Sequence, residues 1–227
     1  MILYVNGDSH TAAAEAINNH AFAEDDSELY QLGRSPHPDN LAVSWGKQLA
    51  DRIGYNFVCD AESASSNDRI IRTTKDYLKT KGSPDLMVIQ WSTWEREEWL
   101  IGNTYYQVNA SGIDDVPESH QQQYKQFVAD VDWTQKTLES HLKIFNFHLY
   151  LRACNIPHVF FNGNSTFSKI INQQTWNNSY IEPYTSSFDH KLRNRFKKRN
   201  DGYHYGPDAH TYWADYLCLY LVDNKHI

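Results

Sequence analysis

A chain of 227 residues with 41% hydrophobic content is long enough to bury a sizeable core and too apolar for a disordered segment. Its net charge of −7 argues against general nucleic-acid binding, and no apolar run is long enough to span a bilayer. Cys59, Cys154 and Cys218 are widely separated and form no CxxC pair, so they read as buried thiols in a reducing compartment rather than a disulfide framework.

The first predicted element is Ile2–Val5, an apolar strand that runs into Asn6-Gly7-Asp8, a turn. No basic leader precedes it, so a secretory signal is not expected and a cytoplasmic location is. Leu41–Ile53 carries apolar residues at helical spacing and stops before Gly54, a glycine cap. Tyr55–Cys59 is a second strand. Ser66–Leu78 follows as a helix with Ile70, Ile71, Thr74 and Leu78 on one face. Leu86–Trp91 is a third strand, and Gln121–Ala153 is a long helical stretch with room for one break. His158–Phe161 is a fourth strand, and Asp208–Leu221 closes the chain as an amphipathic helix.

Strands that alternate with helices predict an α/β fold, a parallel sheet of βαβ units covered on both faces. Residues 1–227 read as one domain. Two stretches exceed the pattern, at about 95–120 and 163–200, and are predicted as insertions around the cleft. The first is polar and aromatic, with Trp99, Tyr105 and Tyr106; the second ends in the basic run Lys191–Arg199. In such sheets a ligand binds beyond the carboxyl ends of the strands, where the first strand delivers Gly7-Asp8-Ser9-His10.

Ser9 is the candidate nucleophile. A serine hydroxyl is weak on its own and needs a base. The candidate base is His204, just ahead of the last helix, with Asp201 three residues before it. A carboxylate on one ring nitrogen leaves the other free to take the serine proton.

Tyr4-Val5-Asn6-Gly7-Asp8-Ser9-His10-Thr11 resembles the Gly-Asp-Ser opening block of the SGNH (GDSL-like) hydrolases, and Asp201-Gly202-Tyr203-His204 is similar to their closing block. The resemblance implies a three-layer α/β/α, flavodoxin-like parallel sheet. It also implies a Ser9–His204–Asp201 triad, ester hydrolysis through an acyl-serine, and no metal or other cofactor. The two middle blocks depart from the pattern. Ala64 stands where the second block supplies a glycine N–H to the oxyanion, and a backbone N–H survives that change if the dihedrals permit. Ser92 stands where the third block supplies an asparagine, and Asn67 on the neighbouring loop is an equal candidate. The expected oxyanion hole is therefore the N–H groups of Ser9 and Ala64 with Ser92 or Asn67.

Trp94, Arg96 and Arg69 are candidate substrate contacts, through stacking and anion pairing, although an ion-pair network explains the arginines as well. Stacking on a sugar by Trp94, Trp99 or Tyr105 would suit a small-molecule or carbohydrate ester. Two other readings stand beside the esterase. One is a binding protein that has lost activity with its middle blocks. The other is a metallophosphoesterase, because Asp8-x-His10 resembles the opening of the calcineurin-like enzymes, whose later blocks are not found here.

Overall fold

The structure is a computed structural model that describes residues 1–23, 32–109, 112, 116–199 and 202–227. Four strands, β1 (Ile2–Asn6), β2 (Asn56–Cys59), β3 (Leu86–Trp91) and β6 (His158–Asn162), form one sheet in the order β2-β1-β3-β6. Every pairing is parallel, with Val5 opposite Cys59 and Val88, and Val88 opposite Val159. The predicted strands fall within a residue of these bounds, because buried parallel strands carry nearly continuous apolar runs.

The two-residue period of the strands divides the core. Leu3, Val5, Leu86, Val88, Val159 and Phe161 face α3 (Trp45–Ile53) and α8 (Pro207–Asp223), against Trp45, Leu49, Trp213 and Leu217. Tyr4, Met87, Ile89, Trp91 and Phe160 face α4 (Asn67–Lys81) and α6 (Trp133–Ala153), against Ile70, Ile144, Phe147 and Leu151. The result is the expected three-layer α/β/α arrangement. Each fully buried Leu or Phe contributes roughly 1.5–3 kcal/mol relative to exposure.

Local chemistry sets the helix bounds. Ser66 Oγ accepts from Arg69 N–H at the start of α4, and Asp132 accepts from Thr134 and Gln135 N–H at the start of α6. Val131, in extended geometry, separates α6 from α5 (Gln121–Asp130), the single break anticipated in that stretch. The stretch Leu41–Ile53 is not the single helix expected: α2 (Pro38–Ala42) ends at Val43, Ser44 accepts from Lys47 N–H to start α3, and Gly54 closes α3 in the left-handed conformation at φ 72°.

The two extra stretches contain more order than loops. Residues 97–108 form an antiparallel hairpin, β4 (Glu97–Ile101) and β5 (Thr104–Val108), turning at Gly102-Asn103. Arg72 on α4 clamps it with three hydrogen bonds to Glu98 and lies 4.0 Å over the Tyr105 ring. Further along, Phe167, Trp176 and Tyr180 are buried in the α4/α6 core. Tyr180 bridges the edge of β6 beside Phe160. The helix α7 (Phe188–Leu192) then joins the opposite core.

All three cysteines are free; Cys154 is exposed and the others half-buried, which corrects the reading of three buried thiols. Burial pushes the Cys59 thiol up to about 12, far from reactive thiolate character. No helix among the described residues is long and apolar enough to cross a membrane.

Candidate active site

Every strand of the sheet feeds the same cleft from its carboxyl end. Ser9 and His10 follow β1, Ser63 and Ala64 follow β2, Thr93, Glu95 and Arg96 follow β3, and Asn164 follows β6. His204, Tyr203, Asp189, Lys198 and Asn109 complete the wall of a cavity of about 560 Å³.

Ser9 opens a single helical turn, α1 (Ser9–Ala12), capped by the Asp8 carboxylate, which accepts from His10 N–H at 3.0 Å. The turn is braced from β3. Gln90 Oε1 accepts from Thr11 Oγ1 at 2.9 Å and from Asp8 N–H at 3.3 Å, while Gln90 Nε2 donates to Trp91 C=O. Gly7 and Gly163 flank this amide so closely that a Cβ at Gly7 would strike Thr11 Oγ1 and one at Gly163 would strike Gln90 Nε2. Ser9 is therefore held on a rigid turn, and its hydroxyl makes no hydrogen bond with any described residue. It shares the cleft with His204 without bonding to it.

Asp8 is buried beneath this turn. Burial pushes its carboxyl up, but the His10 imidazole, the Arg96 guanidinium and hydrogen bonds from His10 N–H and Ser92 Oγ outweigh it and hold the carboxyl below the ordinary range. His10 Nε2 lies 3.0 Å from Asn164 Oδ1, and burial keeps its ring below the usual histidine range despite Asp8. His210 accepts Trp45 N–H on Nδ1 at 3.3 Å, which satisfies an orphan donor at the start of α3; burial drives it down to about 3.

The structure separates the candidates named from the sequence. Ala64 lines the cleft at φ 67°, a left-handed conformation that L-residues adopt at a cost, and its N–H bonds to no described residue. Ser92 and Asn67 do not line the cleft. Ser92 Oγ donates to Asp8 Oδ2 at 2.9 Å, and the Asn67 amide accepts Ser92 N–H at 2.8 Å and donates to Ser92 C=O. Both side chains are thus spent on bracing the loop after β3, a correction to their reading as free oxyanion donors.

Arg96 does reach the cleft, with Nη1 3.2 Å from Asp8 Oδ2 and 3.0 Å from Ser92 Oγ. Arg69 does not. It is paired with the fully buried Glu62 at 2.7 Å and donates to Asp60 C=O, so it is a structural cation and not a substrate contact. Trp94 lies stacked on Phe167, ring centroids 4.5 Å apart, and faces a separate groove. Trp99 packs on Phe127 and Tyr105 lies under Arg72, so neither offers a face to a sugar in the cleft.

His204 sits on the loop before α8, and Asp201 lies outside the described residues. Arg199 N–H donates to His204 C=O at 2.7 Å, and Tyr205 OH donates to Asp189, which also pairs with Lys198. Glu15 Oε2 lies 3.3 Å from His204 Nδ1. No sequence signal marked Glu15, because its contact spans 189 residues.

Comparison with solved structures identifies the fold as that of the SGNH hydrolases. An acetyl xylan esterase (Est2A) from the rumen bacterium Butyrivibrio proteoclasticus superposes with a TM-score of 0.52 at 14% identity, over 99% of this chain and 64% of that one. The chain thus spans about two-thirds, 64%, of that esterase. A carbohydrate esterase family 2 enzyme with a carbohydrate-binding domain, from Corynascus thermopiles (Myceliophthora fergusii), matches at a TM-score of 0.47 and 12% identity, over 100% of this chain and 67% of that one. Comparison with curated proteins gives no match. Residues 33–148, more than half of the sequence and including Ala64, Ser92 and Arg96, match the Family of unknown function (DUF6071), and the chain belongs to that family.

Proposed function

We propose that the chain is a serine esterase that hydrolyses a carboxylic ester with a small acyl group through an acyl-serine intermediate. The observation that carries this reading is a single cleft, at the carboxyl ends of the strands, lined by both Ser9 and His204. Ser9 Oγ attacks the ester carbonyl as His204 accepts its proton. The carbonyl electron pair moves onto oxygen, and the Ala64 N–H and the Arg96 guanidinium, both from residues of the cleft wall, are the donors assigned to the developing charge. Collapse expels the alkoxide, which takes the proton from His204. Water then attacks the acyl-serine with His204 as base, releasing the acid and restoring Ser9. Asp201 is the sequence candidate for the carboxylate that orients His204.

The wall of the cleft is rich in hydrogen-bonding groups, with Asn109, Asn164, Asp189, Lys198 and Tyr203 around the nucleophile. This supports a hydroxylated, carbohydrate-like alcohol as the leaving group over a long lipid. An inactive binding protein is the competing reading, favoured by the loss of Ser92 and Asn67 as donors. Hydrolysis of p-nitrophenyl acetate by wild type and Ser9→Ala separates the two. Turnover that vanishes in Ser9→Ala supports the esterase, and equal rates in the two proteins sink it.

A further inference from the structure

We infer that Glu15, from the loop after the nucleophile, is a carboxylate that positions the His204 imidazole. This rests on the serine-esterase reading. Glu15 Oε2 lies 3.3 Å from His204 Nδ1, with both side chains largely shielded at 26% and 15% exposure. A carboxylate can only accept, so in this contact Nδ1 carries the proton, and Nε2 is the nitrogen assigned as the base.

The backbone around Glu15 is shaped to make this contact. The helical turn that carries Ser9 ends at once, with Ala13 as its left-handed cap at φ 52°. Glu15 itself sits at φ 60°. Two left-handed non-glycine residues within three positions are uncommon, and such geometry persists where surrounding contacts enforce it. Those contacts are present. Glu15 N–H donates to His20 C=O at 3.3 Å. Glu15 C=O accepts from Arg199 Nε at 3.1 Å, and Ile17 C=O accepts from Arg199 Nη2 at 3.1 Å. The Arg199 backbone N–H in turn holds His204 C=O. Arg199 therefore ties the Glu15 loop to the His204 loop, and one short segment delivers both the nucleophile and the carboxylate that steers its base.

The test compares wild type, Ser9→Ala and Glu15→Gln for kcat and KM on p-nitrophenyl acetate, with Ser9 labelling by a fluorophosphonate as a substrate-independent readout. Glutamine keeps the shape of the contact and removes its charge. We expect kcat and the labelling rate of Glu15→Gln to fall about a hundredfold or more while KM stays within about twofold, the split of a group acting on the transition state. Wild-type kcat and labelling in Glu15→Gln, with Ser9→Ala inactive, would overturn the role of Glu15 and leave the esterase reading standing. Equal hydrolysis by wild type and Ser9→Ala would remove both.

Discussion

Replacing Arg69 by methionine tests whether the buried guanidinium beneath the cleft belongs to the scaffold or to substrate binding. The Arg69–Glu62 pair is 2.7 Å long, with Glu62 fully buried. Methionine fills much of the aliphatic space but strands the Glu62 charge, and breaking one side of a buried pair costs roughly 3–5 kcal/mol. Glu62 keeps hydrogen bonds from Gly33 N–H at 2.9 Å and Arg34 N–H at 3.0 Å, which places the loss near the lower limit, at about 3 kcal/mol. For a chain of this length, each kcal/mol moves Tm by about 2–4 °C, so the variant should melt roughly 6–12 °C below wild type. Calorimetry gives Tm, and ester hydrolysis gives KM, expected to be unchanged. Adding Glu62→Gln should recover part of the loss, because it removes the stranded charge. A Tm within about 2 °C of wild type, together with a large rise in KM, would refute the structural assignment.

Arg96→Met should lower kcat by on the order of a hundredfold, the usual effect of losing one oxyanion donor; steady-state kinetics that reveal a change in KM alone would reassign Arg96 to substrate binding. Ala64→Gly removes the cost of a left-handed alanine while preserving its N–H, so urea unfolding should find the variant between unchanged and about 1 kcal/mol more stable, with activity retained.

Stability should also fall as pH drops from about 6.5 to about 4. His158 Nδ1 faces Ile156 C=O and so donates, which leaves Nε2 to accept from His148 Nδ1 at 2.8 Å. Burial holds both rings down to about 4. Between those pH values the unfolded chain binds protons that the folded one refuses, at a cost on the order of 3 kcal/mol for the first proton on the pair. Urea midpoints that stay flat across this window would contradict it.

The parts of the fold that were legible in the sequence are those where burial writes a simple pattern. Leu86–Trp91 is buried along its whole length and reads as a central strand without ambiguity. The β4–β5 hairpin lies within the first expected insertion, where Gly102-Asn103 between two β-rich runs is a hairpin signal that the reading as an insertion does not use. The Ser9 and His204 loops were legible because short motifs carry them. Arg96 is legible as a cleft residue from its place just after the third strand, whereas Glu15 acquires its place only through contacts with residues far along the chain, which local spacing does not encode. Arg69, Trp94 and Tyr105 carried the opposite error: residue types suited to ligands were spent on an ion pair, a ring stack and a hairpin clamp.

The most direct test of the esterase account is peptide mapping of the intact protein after reaction with a fluorophosphonate, for wild type and His204→Ala. The account predicts a single adduct on the peptide that carries Ser9, formed far more slowly when His204 is absent. An adduct at another serine, or Ser9 labelling that does not depend on His204, would contradict it.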